Sequence, residues 1–301
     1  MPLQVLTPDQ IPALTRARLG IFARNGAGKT TFAATIPELD ETGARHRVMA
    51  ASVDIENIRP YTTRKHYRVT KLSHWNDLLE LYELVEYSLR SEKMPVTDVV
   101  FDTWSRMQDL AIGKVTGYNP ADPEKLRQYI ERIPKRPEGW NGWGQVGALM
   151  NEWMGNFNRL PVHLYYLVQE NDRENRTDNY TETGPRLTPE ANRGLRDALE
   201  VIGRLYVITD EDSPAILTNG KAEDFDPNAA KKGGSDPNNR RIDPDALEER
   251  RLFIGQHERY QTKGPTHLLG RVIANPTWTN TVLPILTQRP AARGLKEVAA
   301  G

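Results

Sequence analysis

Eight residues near the beginning of the chain, 23–30, constrain its fold more than any other feature. They read Ala-Arg-Asn-Gly-Ala-Gly-Lys-Thr. Gly26 and Gly28 allow consecutive backbone N–H groups to turn inward around an anion, which a Cβ atom would obstruct. An apolar run at 19–23 precedes this loop, and a helical pattern at 29–36 follows it. The strand, loop and helix together predict a site that binds phosphate groups.

The pattern is that of a P-loop in which Ala23 replaces the usual first glycine. In a P-loop the backbone and the helix N-terminus hold the phosphates, the lysine reaches the β- and γ-phosphates, and the next hydroxyl completes a Mg²⁺ shell. The sequence therefore predicts ATP and Mg²⁺ as cofactors, with Lys29 as a catalytic cation and Thr30 as a metal ligand. The predicted nucleotide-binding residues are those of the loop and the first helical positions: Ala23, Arg24, Asn25, Gly26, Ala27, Gly28, Lys29, Thr30 and Thr31.

The composition excludes several other kinds of protein. The chain has no Cys, which excludes disulfides and thiolate metal sites and suits a reducing compartment. Lys plus Arg equals Asp plus Glu at 40 each, so any surface that binds nucleic acid must be local. No apolar run approaches the ~18 residues of a membrane span, and the first residues lack a signal-peptide pattern. We therefore expect a cytoplasmic protein without a membrane partner.

Short apolar runs alternate with helical patterns along much of the chain. Strands are predicted at 19–23, 48–53, 96–101, 162–168 and 205–208, and helices at 29–36, 75–89 and 143–160. Another helix is predicted to begin at Pro189 after a Thr188 cap. Two closing strands at 251–255 and 267–274 and a helix at 278–286 follow. This alternation predicts an α/β fold with a mostly parallel central sheet flanked by helices.

We predict a single domain over residues 17–290, between a leader at 1–16 and a tail at 291–301. Two stretches interrupt the alternation of strands and helices. Residues 113–141 are polar and rich in Pro, and residues 219–244 are rich in Gly, Asn and Asp. Both are predicted to be long mobile loops, and the second is predicted to be a disordered insertion.

Acidic and amide side chains follow the predicted strands. Asp102 ends an apolar strand and is predicted to be the acid that holds the metal. Glu56 and Asp54 follow the second strand, and either can be the base for hydrolysis, because side chains two residues apart share a face. Gln169 ends the fourth strand, where an amide can contact a γ-phosphate oxygen, and a charged loop is predicted to follow it at 170–184. Each of these residues also has an ordinary interpretation as a turn or surface residue.

Taken together, residues 23–30, 53–57, 101–103 and 168–170 resemble the RecA-like ATPase core. In particular, the chain is similar to phage-encoded, RecA-core-only proteins of single-strand annealing and recombination. The resemblance implies a RecA-like P-loop NTPase fold and ATPase activity. By that resemblance Glu56 is the catalytic carboxylate, Asp102 the Mg²⁺ acid and Gln169 the γ-phosphate sensor.

The same resemblance implies partners. It implies self-association with the ATP site near a subunit interface, where Lys263 of the next subunit is a candidate catalytic cation or an ordinary exposed lysine. It also implies binding to single-stranded DNA, with a single-strand binding protein as a further candidate partner. Candidate DNA-binding residues are cations for phosphates and an aromatic ring for bases: Arg132, Lys135, Arg136, Trp140, Arg173 and Arg176. Both segments also carry acids, so solvated mixed-charge loops are the alternative interpretation.

Two other functions remain open. Arg24 lies where partitioning-type P-loop switch ATPases place a signature lysine, and the pair Thr30-Thr31 also fits those proteins. A small-molecule kinase would need an acceptor pocket and a lid with clustered arginines, which the sequence does not clearly show. ATP turnover stimulated by single-stranded DNA would favour the RecA-like function, and phosphate transfer to a nucleoside would favour a kinase.

Overall fold

A computed structural model describes residues 16–54, 58–91, 95–117, 142–175, 180–208, 249–255, 260–264 and 271–287. Residues 1–15 of the predicted leader, the predicted insertion at 219–244 and the tail at 291–301 lie outside these ranges. Several predicted site residues also lie outside the described residues: Glu56, Arg132, Lys135, Arg136, Trp140 and Arg176.

The described residues contain one sheet of nine strands. The strands are β1 Arg18–Ala23, β2 Val48–Ser52, β3 Tyr67–Lys71, β4 Asp98–Asp102, β5 His163–Asn175, β6 Tyr180–Pro185, β7 Val201–Ile208, β8 Glu249–Ile254 and β9 Arg271–Ala274. Their order is β3-β2-β4-β5-β1-β7-β8-β9, and β6 pairs with β5. The six strands from β3 to β7 in that order are parallel, and β8 and β9 continue the sheet in antiparallel pairing. The predicted mostly parallel sheet with closing strands is confirmed.

Helices cover both faces of this sheet. They are α1 Lys29–Ala33, α2 Arg59–Thr62, α3 Asp77–Arg90, α4 Trp104–Thr116, α5 Gly142–Arg159, α6 Pro189–Ala198 and α7 Trp278–Thr287. The predicted cap of α6 is confirmed, because the Thr188 hydroxyl accepts from the Ala191 N–H at 3.4 Å and Pro189 takes the first helical position.

The central strands are buried on both faces, which explains why their sequences are continuously apolar. Phe101 and Tyr166 belong to the core beneath α3, α4, α5 and α6, whereas their neighbours Val100 and Tyr165 belong to the core beneath α1 and α7. The buried aspartates Asp98 and Asp102 lie at the beginning and the end of β4. The P-loop lies at the edge formed by the carboxyl ends of the parallel strands.

Several elements differ from the sequence-based expectation. The strand β3 and the helices α2 and α4 were not predicted, and α4 continues to Thr116, so the start of the predicted loop at 113–141 is helical. The predicted loop at 170–184 is wrong, because β5 continues to Asn175 and forms a hairpin with β6. β3 is the outermost strand on one side of the sheet, and the hairpin is rich in charged residues. Neither therefore has the apolar run of a buried strand.

A buried polar cluster lies at the opposite edge of the sheet, where the parallel strands begin. His46 Nδ1 lies 2.8 Å from an Asp98 oxygen, and its Nε2 lies 3.4 Å from an Asp40 oxygen. His163 Nδ1 accepts from the Ala17 N–H at 2.9 Å. Among the described residues, His46, Asp98 and His163 form the one group with metal-ligand atoms within 4.8 Å of one another. Because hydrogen bonds already engage these side chains, we interpret the cluster as structural.

We expect His46 to stabilise the fold more in mild acid than in alkali. Burial by itself lowers the pKa of His46, but hydrogen bonds and negative charge from Asp98 and Asp40 outweigh it, so the pKa is raised. The stabilisation is therefore complete below the unfolded-state pKa of about 6.5 and is lost as pH rises through the folded-state pKa. Replacement of His46 by Gln should lower the free energy of unfolding by roughly 2 kcal/mol at pH 6 and by less at pH 9.

Urea unfolding of the wild type and the His46→Gln variant at both pH values tests this expectation. The exposed His74 provides a matched control, since His74→Gln removes an imidazole outside the cluster and should have little effect at either pH. A loss of stability that is the same at pH 6 and pH 9 would contradict the stabilising role of the His46 charge.

Candidate active site

The P-loop is formed by the turn between β1 and α1. Gly26 has a φ of 82° and Gly28 a φ of 93°, a left-handed conformation that favours glycine. The Phe32 N–H donates to the Gly28 carbonyl at 2.8 Å, which begins the helix directly after the loop. Ala23 differs because it is the last residue of β1, where an extended backbone accepts a side chain that is buried in the core. The replacement of the usual first glycine by Ala23 is therefore compatible with this loop.

Lys29 lies beneath the loop with only 7% of its surface exposed. Its ammonium group donates to the carbonyls of Ala23 and Arg24, each at 3.0 Å. Burial lowers the pKa of Lys29, and the negative charges of Asp102 and Glu170 oppose that shift. The lysine is thus held at the start of the loop whose N–H groups surround the predicted phosphate position.

Asp102 lies at the end of β4, next to the first turn of α1. The Thr30 hydroxyl donates to Asp102 Oδ2 at 2.6 Å, and the Tyr61 hydroxyl donates to the same oxygen at 2.8 Å. The Ser52 hydroxyl donates to the Asp102 backbone carbonyl. Burial raises the pKa of the Asp102 carboxyl, although the two hydroxyl donors and Lys29 oppose the shift. The predicted metal ligands, Thr30 and Asp102, are therefore in direct contact.

The structure describes Asp54, the first of the two acids that follow β2, but not Glu56, the second. Both carboxylate oxygens of Asp54 accept from the Arg106 guanidinium, at 3.0 and 3.2 Å, and Arg106 also donates to Asp109. This ion pair therefore engages both Asp54 oxygens, each with one hydrogen bond. Glu56 lies outside the described residues, so its catalytic role stays a prediction.

Gln169 lies at the point where β5 leaves the central sheet. It is the last residue of β5 that pairs with β1, opposite Ala23, and its N–H donates to the Ser105 hydroxyl at 2.9 Å. Its side-chain oxygen accepts from the Arg186 guanidinium at 2.9 Å. The amide is thus placed one strand away from the start of the P-loop, and its role as a γ-phosphate sensor stays a prediction.

A group of ion pairs joins the P-loop to the hairpin of β5 and β6. Glu170, the first residue of the hairpin, has a side chain that is 2% exposed. It accepts from Arg204 at 2.8 and 3.0 Å and from Arg24 at 3.2 Å. Arg24 also lies 3.5 Å from Asp172, and the Arg204 guanidinium lies 4.4 Å from the centre of the Tyr260 ring. The exposed Arg24 of the phosphate loop therefore contacts the root of the hairpin directly.

The remaining predicted residues are spread more widely. Lys263 pairs through its backbone with Ile202, and its ammonium group donates to the carbonyls of Arg196 and Leu199 at 2.7 and 2.8 Å. It therefore caps the C-terminal end of α6 within its own chain, and a role in a neighbouring subunit stays a prediction. The backbone of Arg173 lies in the hairpin, opposite Glu182.

Comparison with known proteins assigns the chain to a family. A family model described as an AAA domain matches residues 15–265, a range that includes the P-loop, Asp102 and Gln169. The chain belongs to this AAA domain family. The AAA domain is an α/β P-loop ATPase core of the RecA-like type, in which β5 separates the P-loop strand β1 from the Asp102 strand β4.

This AAA domain was also compared with curated proteins and with solved structures. No curated protein matches it. A chain in the structure of a DnaB-like replicative helicase and its interactions with primase matches with 12% identity and a TM-score of 0.42. The match covers 86% of this chain and 56% of the helicase chain, so the AAA domain spans just over half of that chain's length. Within its described residues, the AAA domain has no helix that is both long and apolar enough to cross a membrane.

Several residues of the site were not predicted from the sequence. Tyr61 contacts Asp102, Ser105 and Arg186 contact Gln169, and Arg204 forms an ion pair with Glu170. Tyr61 lies on α2, a helix of four residues, and carries no motif that marks it. The others lie 17 to 64 residues from the groups they contact, so their roles depend on the folded sheet.

Proposed function

We propose that this AAA domain hydrolyses ATP with Mg²⁺ and uses hydrolysis to act on single-stranded DNA in recombination, annealing or repair. The contact between the P-loop hydroxyl of Thr30 and the buried carboxylate of Asp102 supports the metal-dependent chemistry, since hydroxyl and carboxylate oxygens suit Mg²⁺. When bound, Mg²⁺ would be held by Thr30 and Asp102 and would neutralise the charge that develops on the phosphates in the transition state.

The protein's own groups have separate roles in this proposal. The N–H groups of the P-loop bind and orient the phosphates, and Lys29 leaves the two carbonyls it now contacts to reach the β- and γ-phosphates. Glu56 takes the proton of the attacking water, as the resemblance to RecA-like ATPases implies. Gln169 contacts the γ-phosphate and responds to its loss.

The path of β5 supports a link between the nucleotide and a second ligand. The strand passes the P-loop at Gln169 and then continues directly into the hairpin, whose root contacts Arg24 of the P-loop through Glu170. A change at the γ-phosphate therefore has a short route to the hairpin. The hairpin carries Arg173 and leads into Arg176, which we propose as contacts to the phosphates of single-stranded DNA.

The resemblance to RecA-core-only proteins supports three further parts of the proposal. They are a connection with phage recombination, self-association that brings Lys263 to a neighbouring ATP site, and cooperation with a single-strand binding protein. Partitioning-type ATPases place a signature lysine where this chain has Arg24. The ion pairs of Arg24 with Glu170 and Asp172 give that residue a role within its own chain, which favours the RecA-like function.

ATP turnover with and without a single-stranded oligonucleotide tests this proposal. We expect turnover that requires Mg²⁺ and rises by roughly tenfold on addition of a thymidine oligomer, and less with duplex DNA of the same length. Oligonucleotide binding should weaken steeply between 50 and 200 mM salt, as phosphate contacts require. Light scattering on the same samples would measure self-association.

A charge-reversal variant in the hairpin tests the proposed DNA contact, and a charge reversal elsewhere on the surface is its control. Arg173→Glu should reduce DNA binding and DNA stimulation while it leaves turnover without DNA within about twofold. The exposed Arg45 lies at the other edge of the sheet, so Arg45→Glu should change neither quantity. ATP turnover with no oligonucleotide binding at either salt would reject the DNA part alone, and the absence of ATP binding would reject the whole proposal.

A further inference from the structure

Arg250 extends from a neighbouring strand onto the phosphate loop. It lies near the beginning of β8, which runs antiparallel to β7 and therefore begins at the edge of the sheet that carries the P-loop. Leu252 and Ile254 follow at two-residue intervals and belong to the core shared with Phe32 of α1. Because alternate strand residues share a face, the Arg250 side chain lies on the same side of the sheet as α1.

The Arg250 side chain covers Gly28 at close range. A Cβ atom added to Gly28 would lie 2.7 Å from Arg250 Nε, 3.0 Å from Cδ and 3.2 Å from Cζ. The φ of 93° favours glycine at this position, and a Cβ atom here would also force the Arg250 side chain to shift. The backbone of Arg250 is fixed in turn, since its N–H donates to the Asn275 side chain and its carbonyl accepts from the Asn275 N–H.

The Nε–H group of Arg250 is buried, and it has no acceptor among the residues that the structure describes. A buried donor on a charged group is costly when it is unpaired, and a guanidinium binds phosphate oxygens well. Gly28, which this side chain covers, is the last glycine of the loop, and the N–H groups of such loops surround the α- and β-phosphates in proteins with this motif. The donor and the predicted anion position therefore lie next to each other.

We propose that Arg250 is a ligand of the α- and β-phosphates of the bound nucleotide, supplied by the same chain as the P-loop. This inference rests on the proposed function, because it requires a nucleoside diphosphate or triphosphate in the loop. Arg250 supplies a second cation in addition to Lys29. It lies at the end of the phosphate chain that is farther from the γ-phosphate. Since ATP and ADP share these phosphates, Arg250 strengthens the binding of both nucleotides and distinguishes them from ligands without a diphosphate.

Titrations of ATP, ADP and inorganic pyrophosphate against three variants test the proposal. Arg250→Gln removes the charge, Arg250→Lys keeps a charge without the planar guanidinium, and Arg45→Gln removes an exposed arginine far from the loop. We expect Arg250→Gln to weaken ATP, ADP and pyrophosphate alike by about ten- to a hundredfold. The Lys variant should lie between Gln and the wild type, and Arg45→Gln should match the wild type. In steady-state turnover, KM should rise in Arg250→Gln by a larger factor than kcat falls.

The outcomes separate this inference from the proposed function. If the wild type binds ATP, Lys29→Ala does not, and Arg250→Gln binds ATP and ADP as the wild type does, only the role of Arg250 is rejected. A loss of ATP affinity with unchanged ADP affinity would also reject it, because that pattern indicates a γ-phosphate contact. If the wild type binds no nucleotide, the proposed function and the role of Arg250 both fail. Melting temperatures confirm folding, and Arg250→Lys carries the test if the Gln variant does not fold.

Discussion

Replacement of Lys29 by Ala should lower the affinity for ATP by at least about a hundredfold and abolish measurable hydrolysis. The ammonium group is the predicted contact to the β- and γ-phosphates, and charge-assisted contacts of this kind contribute several kcal/mol when two phosphates are engaged. Lys29 is also the buried cation closest to the loop carbonyls, so no other described lysine can take its place. Titration of a fluorescent ATP analogue into each protein measures the loss.

The control for Lys29→Ala is a lysine of the same sheet that lies away from the site. Lys71 ends the edge strand β3 and is exposed, so Lys71→Ala should bind ATP as the wild type does. Because Lys29 is buried and donates to two carbonyls, the melting temperature of Lys29→Ala must be measured as well. A folded Lys29→Ala protein with unchanged ATP affinity would remove the basis for nucleotide binding at residues 23–30.

The sequence predicted those parts of the site in which a local pattern carries the chemistry. The P-loop needs two glycines, a lysine and a hydroxyl in one short segment, and the structure places them on a strand–loop–helix turn. The position of Asp102 beside the P-loop could be predicted because it ends an apolar run, and parallel strands end at one edge. Its contact with Thr30, 72 positions earlier in the chain, follows from that shared edge.

Other parts of the site depend on neighbours that only the folded chain brings together. The choice between Asp54 and Glu56 was open from the sequence, and the ion pair of Asp54 with Arg106, 52 positions later, could not be read from spacing. The hairpin was predicted as a loop because its residues are charged and few are β-branched. It is a hairpin because its backbone groups pair, with a side-chain bond from Thr183 to Asp172 between the two strands. Arg250 reaches Gly28 only through the antiparallel pairing of β8.

Replacement of Asp102 by Asn should separate nucleotide binding from hydrolysis. The variant keeps the size of the side chain, so ATP binding without Mg²⁺ should stay within a few fold of the wild type. Mg²⁺-dependent turnover should fall by about a hundred- to a thousandfold, because the metal contributes several kcal/mol to transition-state stabilisation. Tyr61→Phe removes one hydrogen bond to the same oxygen and keeps the carboxylate, so it should reduce turnover by roughly tenfold or less.

Asp98 provides the control for Asp102, because it is a buried aspartate at the other end of the same strand. Asp98→Asn should lower the melting temperature through its loss of charge beside His46 and leave turnover per folded molecule within about twofold.

The pH dependence of Mg²⁺–ATP binding supplies a second readout for Asp102. Since burial raises the pKa of Asp102 and Mg²⁺ requires the ionised carboxylate, the affinity for Mg²⁺–ATP should fall as pH falls through that raised pKa. Asn cannot titrate, so this part of the pH dependence should vanish in Asp102→Asn, and its persistence there would show that another group controls metal binding.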